Sequence, residues 1–331
     1  MQQLRERQLR RATGRLAPRN SVEPAQPYFV SSRPVEITIR PVSSSTDYDA
    51  WRQVRMAVLP DERAPTIEEL SAQAGPQHQY VLAELNGTLA GSGFVGKSSL
   101  AGQASVAPRV LPAFRRQGVG SAVLRLLAQE ATAMGFTVAG ANAEDAGSAS
   151  FAERHGFREV DRQIEQVRAI GDEPPPQALP GVTILPVSAR PELWLAAYDT
   201  VGAQAFQDMA TVAVLEVTPQ EWQQDWITDP DATFVALADD EVVGCAGLMP
   251  DPDQPRRAEH GLTAVRRDWR RRGVATALKR TTLAWAAANG FTEVYTWTQR
   301  DNDGMRALNA RLGFSTRSLS IRMQAALPLA C

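Results

Sequence analysis

"FRRQGVGSAVLRLL" at residues 114–127 and "WRRRGVATALKRTT" at residues 269–282 each place arginines directly before a glycine and a run of apolar residues at helical spacing. A helix start exposes unpaired N–H groups and a partial positive charge, so cations there cost about a few tenths of a kcal/mol each, and Asp or Ser is the expected choice. The conflict disappears if an external polyanion sits at the helix start, held by backbone N–H groups that Gly118 and Gly273 let it approach. A pyrophosphate fits best. The stretch is not a Walker loop, because no Gly-Lys-Ser/Thr follows, and "GVGSAV" lacks the third glycine of the Rossmann fingerprint.

The two stretches belong to a longer repeat. Arg115 and Arg270 lie 155 positions apart, "GFT" at 135–137 recurs at 290–292, and "HGF" ending at Phe157 matches "LGF" ending at Phe314. A period this long means two copies of a whole domain rather than a solenoid. Between them "GDEPPPQALPG" at 171–181 reads as an extended, semi-rigid spacer. The expected organisation is a flexible basic tail over 1–33, a first domain over 34–171, a Pro-rich linker over 172–180 and a second domain over 181–331.

Each copy opens with a short β-rich segment, "VEITIRPV" or "GVTILPV", followed by a helical region containing Trp51 or Trp194. Hairpins then turn at Asn86-Gly87 and Asp239-Asp240. Another strand, the arginine-glycine loop and its helix follow, and "GFTVAGANA" or "GFTEVYTWT" reads as a strand before a helix that closes at Gly156 or Gly313. Short strands finish each copy. This order defines an α/β domain with a mixed sheet.

Composition narrows the function. At 331 residues, 44% hydrophobic and 22% charged, with no apolar run near the roughly 20 residues of a membrane helix, the chain reads as soluble and globular. The formal net charge of -2 argues against a general nucleic-acid binder, and an RNA-contacting surface at Arg266, Arg267 and Arg270–Arg272 runs against the acidic balance elsewhere. Cys245, Cys331, His78, His155 and His260 are not spaced as a metal site, and no disulfide framework is expected. The first 33 residues carry seven arginines against Glu6 and Glu23 and no apolar core for a secretory signal, so a cytoplasmic location is expected.

At the two loops the sequence resembles the Gcn5-related N-acetyltransferase (GNAT) family, whose acetyl-CoA signature is Arg/Gln-x-x-Gly-x-Gly/Ala between the fourth strand and the third helix. Arg115, Gly118 and Gly120 satisfy it in the first copy, and Arg270, Gly273 and Ala275 in the second. The resemblance covers about residues 35–325. It implies two tandem GNAT-like domains, each a mixed, mostly antiparallel sheet flanked by helices, and a monomer whose two domains pack as a pseudo-dimer.

The resemblance further implies acetyl-CoA as co-substrate, no metal, and direct transfer of acetyl to a primary amine, by default on a small molecule, in a ternary complex. The CoA pyrophosphate falls to Arg115, Arg116, Gln117, Gly118, Val119, Gly120 and Ser121, and to Arg270, Arg271, Arg272, Gly273, Val274, Ala275 and Thr276. Val110 and Val265 would pair with the pantetheine arm. Asn302 matches a position that often contacts CoA, with a plain N-cap as its other reading.

The family's fourth-strand glutamate base corresponds to Glu259 in the second copy but to Ala104 in the first. Glu259 also reads as a strand-edge carboxylate without a role, and His260, facing the other way, is an alternative base. The family's tyrosine acid is replaced by Ala152 and by Asn309, which donates a hydrogen bond but not a proton. Expected, therefore, is a catalytic second copy with a first copy that binds CoA or serves structurally. The alternative is a non-catalytic acyl-CoA-binding or partner-binding module. Trp222, Trp226 and Phe206 are expected in the core, with a pocket wall as their other reading.

Overall fold

A computed structural model describes residues 36–209, 213–227 and 229–330; the basic tail expected over 1–33 and Cys331 lie outside them. The first copy runs β1 (Ile37–Pro41), α1 (Ser45–Val58), α2 (Ile67–Gln73), β2 (His78–Leu85), β3 (Thr88–Lys97), β4 (Gln103–Val106), β5 (Arg109–Val110), α3 (Val119–Ala133), β6 (Val138–Ala143), α4 (Ala146–Glu153) and β7 (Arg158–Ala169). The second runs β8 (Thr183–Pro186), α5 (Glu192–Ala197), α6 (Ala203–Asp208), α7 (Pro219–Asp225), β9 (Thr233–Ala238), β10 (Glu241–Pro250), β11 (Arg257–Val265), α8 (Val274–Ala288), β12 (Glu293–Gln299), α9 (Asp303–Arg311) and β13 (Ser315–Ala326). Short helical turns precede α3 and α8, and a π-helical turn joins α5 to α6.

Local chemistry accounts for the matching elements. Asn86 and Gly87 both take positive φ, as do Asp239 and Asp240, and these are the primed turns that suit the twist of the β2–β3 and β9–β10 hairpins. The Gly-Phe pairs at 135 and 290, expected to open strands, are helix ends, as those at 156 and 313 were expected to be. At Gly135, Gly156, Gly290 and Gly313 φ is positive, and the following phenylalanine N–H reaches back five residues to a helix carbonyl, for example Phe157 to Ala152 at 3.1 Å and Phe314 to Asn309 at 3.0 Å.

One 13-stranded sheet unites both copies. Its order is β1-β2-β3-β4-β6-β13-β7-β12-β11-β10-β9-β8, with β5 paired to β3. The terminal strands are exchanged: β13 of the second copy lies against β6 of the first, and β7 of the first lies against β12 of the second. The expected short closing strands are instead 12 residues each, and they pair with one another in the middle of the sheet.

Polar groups stabilise this seam. Glu165 of β7, 2% exposed, accepts hydrogen bonds from the Arg317 guanidinium and from Ser318 Oγ (2.7 Å) of β13. Arg257 lies within 3.7 Å of the same carboxylate. Buried charges persist only when paired in this way.

Each half packs helices on both faces. In the first copy α3 buries Val123 and Leu127 with Val81 and Ala83, while Trp51 of α1 packs on Leu82 and Tyr80 on the opposite face. In the second copy α8 buries Val274 and Leu278, and α5 and α7 bring Trp194 and Trp222 together on the other face with Leu262 and Ala264. The two indoles stack at 4.2 Å and each donates its N–H to the other's carbonyl. Trp222 (0% exposed) and Phe206 are therefore core, and Trp226 packs against them.

The linker is also packed. Leu179 joins the α8-side core, Glu173 pairs with Arg168, and the Leu179–Val182 bridge closes onto β8. Among the described residues no helix is long and apolar enough to cross a membrane, and no group of three or more His, Cys, Asp or Glu is placed to hold a metal.

Candidate active sites

The two arginine-glycine loops have the same backbone. Gly118 (φ 89°) and Gly273 (φ 90°) stand as left-handed N-caps of α3 and α8, and neither helix start is capped by a side chain. Two residues earlier, Arg116 (φ 63°) and Arg271 (φ 62°) are also left-handed. Such a turn before an uncapped helix aims successive N–H groups at one point, an arrangement that suits an anion. Arg115 Nε donates to the Val110 carbonyl at 3.3 Å, and Arg270 Nε repeats the contact to Val265 at 3.0 Å. Signature arginine and preceding strand are thus locked in both copies. Val119 and Val274 are buried beneath their helices.

The side-chain surroundings of the loops differ. Asp208, at the end of α6, pairs with Arg267 (2.6 Å) and with Arg270 (2.5 Å), and these cations pull its carboxyl down to about 2. Arg272 lies over the Trp269 ring at 4.8 Å. In the first copy no ion pair to Arg115 or Arg116 occurs among the described residues. The second loop's positive charge is partly neutralised by its own domain.

Beside each loop the sheet splays. β4 pairs in parallel with β6 only from Gln103–Val138 to Ser105–Gly140, after which the chain of β5 turns to pair with β3 alone. In the second copy β11 and β12 pair from Arg257–Glu293 to Glu259–Tyr295, and β11 then runs on to Val265 beside β10 only. Val110 and Val265 therefore lie on strands with one free edge, beyond the opening of a V.

Glu259 occupies the apex of the second V. Tyr295 O–H donates to its Oε2 at 3.2 Å and accepts from the Arg63 N–H, which belongs to the α1–α2 connection of the first copy, at 3.0 Å. Burial raises the Glu259 carboxyl above the ordinary carboxylate range; the Tyr295 hydrogen bond and the Arg63 and Arg55 charges oppose this, and Glu62 adds to it. Burial likewise raises the Tyr295 phenol, with Glu259 contributing. Tyr295 is fully buried under Arg257, whose guanidinium lies 4.1 Å from the ring centre. Two residues missed in the sequence, Tyr295 and Arg63, thus complete this corner. Tyr295 was recoverable as the parallel-strand neighbour of Glu259, whereas Arg63 enters only because the copies pack together.

Other candidates lie apart. His260 (2% exposed) faces α8, where burial and the Lys279 charge hold its imidazole well below the usual pKa, and its Nε2 has no partner. Lys279 is itself buried, with its amine pushed down to about 7. A bulge at Gly247/Leu248, where β11 carries Gly261 unpaired, separates His260 from the residues beyond it. The structure does not bring His260 to the side of the sheet on which Glu259 and Tyr295 meet. Asn309 is fully buried, its amide donating to Gln166 Oε1 (2.9 Å) of the exchanged β7. Asn302 caps α9, its side chain accepting from the Met305 N–H at 3.1 Å. Gln117 bonds back to the Ala113 carbonyl, Ser121 Oγ meets His155, and Gly120 lies against Phe151. Ala275 and Thr276 form the half-buried first turn of α8.

Each half thus sets an anion-binding loop beside a splayed sheet, and comparison with known proteins identifies the class. The model described as "Acetyltransferase (GNAT) family" matches residues 202–314, and "Acetyltransferase (GNAT) domain" matches residues 76–159. The chain belongs to the GNAT family of N-acetyltransferases as a tandem member.

It is similar to a mycothiol acetyltransferase of Salinispora arenicola, 29% identical over 276 residues that cover 78% of this chain and 85% of the relative. One from Brachybacterium faecium is 28% identical over 244 residues, 70% and 71% of the two chains. Among solved structures, a tandem GNAT protein from the clavulanic acid biosynthesis pathway aligns with a TM-score of 0.68 at 18% identity, over 88% of this chain and 98% of that one. A GCN5-related N-acetyltransferase from Sphaerobacter thermophilus gives 0.66 at 21%, over 88% and 95%. These likenesses extend to the fold.

Proposed function

We propose that the protein transfers acetyl from acetyl-CoA directly to the primary amine of a small molecule, with the second copy catalytic. The observation that carries this reading is the placement of Glu259: a carboxylate at the apex of the β11–β12 splay, on the strand that leads to the loop at Gly273. Acetyl-CoA would lie with its pyrophosphate on the N–H groups of residues 271–276 and its pantetheine arm along the free edge of β11 near Val265. The thioester then falls close to the end of β11–β12 pairing. Glu259, with a raised pKa, is suited to take a proton from the attacking ammonium, directly or through water. Tyr295 positions that carboxylate by donating to it, and Arg63 fixes Tyr295. The amine attacks the thioester carbonyl, its second proton passes to water as the C–S bond breaks, and CoA leaves as a thiolate that water protonates, because Asn309 is engaged with Gln166 and has no acidic proton to give.

The name shared by the two curated relatives, mycothiol acetyltransferase, supports a small-molecule acceptor rather than a protein. A self-contained pseudo-dimer, closed by strand exchange, supports a monomer in solution. The test is Glu259→Gln, assayed by CoA thiol release with a panel of small amines. A general base contributes about 10²–10⁴-fold, so kcat should fall by at least about 10² with CoA affinity unchanged. The wild-type acid limb should lie above pH 4.5, the ordinary carboxylate value, because the base must be deprotonated and its pKa is raised. Unchanged turnover in the variant would remove Glu259 from the mechanism.

A further inference from the structure

The apex of the second copy depends on a segment that belongs to the first. Arg63 lies in the α1–α2 connection, residues 59–66, which forms neither helix nor strand. Without a backbone ladder such a segment is held in place by side chains, and here they come from both copies. Arg52 on α1, 9% exposed, donates from Nε to the Pro65 carbonyl at 2.7 Å and from Nη2 to Asp253 Oδ2 at 2.5 Å. One guanidinium therefore ties the end of the connection to the β10–β11 turn of the second copy. That turn is itself fixed, because Asp251 Oδ1 accepts from the Asp253 and Gln254 N–H groups at 3.0 and 3.2 Å. Gln254 Nε2 donates to the Pro60 carbonyl and Arg63 Nε to the Pro250 carbonyl, each at 3.1 Å. Within the first copy, Arg55 pairs with Glu62 at 3.1 Å and Arg63 with Glu69 at 2.6 Å.

Together these contacts set the position of one backbone donor. The Arg63 N–H points at the Tyr295 oxygen (3.0 Å), and with that lone pair engaged the phenol directs its own proton to Glu259 Oε2 (3.2 Å). Hydrogen bonds in such a chain polarise one another, so displacing the first weakens the second. Asp253 is the ion-pair partner of Arg52, and removing it leaves a buried guanidinium unmatched at the root of the connection.

The reciprocal crossing is built differently. There the chain before α7 meets the β3–β4 turn of the first copy through backbone, with the Ala101 N–H on the Val214 carbonyl at 2.9 Å and the Glu216 N–H on the Ser99 carbonyl at 2.7 Å, and a half-buried Lys97–Glu221 pair stands beside them at 3.2 Å. At the repeat spacing Glu259 and Tyr295 become Ala104 and Gly140, so this crossing has no carboxylate or phenol to orient. The buried arginine fastening thus occurs at the crossing that leads to a titratable pair, which argues for orientation rather than mere adhesion of the copies. We infer that Arg52 and Asp253 are positioning residues for the Glu259 step: they latch the α1–α2 connection of the first copy onto the second, so that the Arg63 N–H holds the Tyr295 hydroxyl on the carboxylate. The inference rests on the reading of Glu259 as the base. It makes the first copy a working part of the second copy's site, whatever its own loop binds.

The experiment is a double-mutant cycle on the full chain, with Asp253→Ala and Tyr295→Phe alone and combined, read as CoA thiol release from acetyl-CoA with the small-amine panel and as amide exchange at Arg63. Asp253→Ala should lower kcat about tenfold with KM for acetyl-CoA unchanged, since small misplacements at a reacting centre cost on that scale or more. In the Tyr295→Phe background the same change should cost less than about twofold, because the latch acts through the phenol. Exchange at the Arg63 N–H should quicken about tenfold in Asp253→Ala. Should that variant fail to fold, Asp253→Asn, which keeps an acceptor oxygen, should show the same pattern at about threefold. A merely structural latch would lower Tm and give equal kcat losses in both backgrounds, which would overturn the inference, as would an unchanged kcat. Unchanged exchange at Arg63 would overturn it whatever the activity shows. Failure of the base reading is read separately: Glu259→Gln would then leave turnover unchanged, while quickened Arg63 exchange would still place the latch.

Discussion

The two copies share a loop and differ in the side chains around it. Around Gly118 and Gly273 the backbones match to within a few degrees of φ, down to the left-handed Arg116 and Arg271. A short distance away the same scaffold supports opposite environments. On the α1 face of the first copy lie Arg55, Arg109, Glu62 and Glu144; on the α5 face of the second lie Trp194, Trp222 and Leu262 in a dry core. The apex positions reverse the pattern, with Ala104 in the first copy and Glu259 in the second. A loop made of N–H groups tolerates almost any neighbours, because its function resides in the backbone. Proton transfer and acceptor binding need particular side chains, so duplication leaves those free to diverge.

The largest effect separating the copies should come from glutamate in the loops. Gly273→Glu should abolish turnover, since it strains a φ of 90° and sets a carboxylate against the pyrophosphate, whereas Gly118→Glu should leave most of it. Each variant should also remove one CoA from the stoichiometry measured by titration. The reverse ranking of activities would reassign catalysis to the first copy.

A smaller effect probes the unequal electrostatics. Asp208→Asn frees Arg267 and Arg270 and should tighten CoA binding about three- to tenfold at low salt, with the gain shrinking as salt rises. An unchanged Kd would mean that Asp208 already yields its arginines to the ligand at no cost.

The smallest concerns stability. Burial raises the Glu144 carboxyl to about 7, so the folded state favours the protonated form more than the unfolded chain does. Its stabilising contribution is therefore complete below about pH 4.5 and is lost as pH rises towards 7. Glu144→Gln should stabilise the fold at pH 8 by roughly 1–2 kcal/mol after allowing for partial solvent screening, read as a higher Tm, and change Tm little at pH 4.5. Equal shifts at both pH values would refute the raised pKa.

Much of this was legible in the sequence, and the legible parts have a common cause. The hairpin turns at Asn86-Gly87 and Asp239-Asp240, the glycine caps and the anion loops all depend on φ preferences and N–H groups within a few residues. The Gly-Phe pairs at 135 and 290 were harder to place than those at 156 and 313, because a C-cap and a strand start share the same residues. The long terminal strands escaped because β7, "REVDRQIEQVRA", has no clean apolar alternation. Its buried Glu165 and Gln166 find partners in Arg317, Ser318 and Asn309, which are about 140 to 150 residues away. His260 and Glu259 are adjacent in sequence, and only the strand pleat sends one to Lys279 and the other to Tyr295.

By itself the sequence determined the duplicated fold and the two loops on which a CoA pyrophosphate would sit, since both rest on short-range backbone geometry. Tertiary structure alone decided that the copies close one sheet by exchanging strands. It also decided that Arg63 of the first copy supports Tyr295 and Glu259 of the second. The reason is physical: burial, desolvation and the pairing of charges depend on what packs against a residue from elsewhere in the chain, and no local pattern records it.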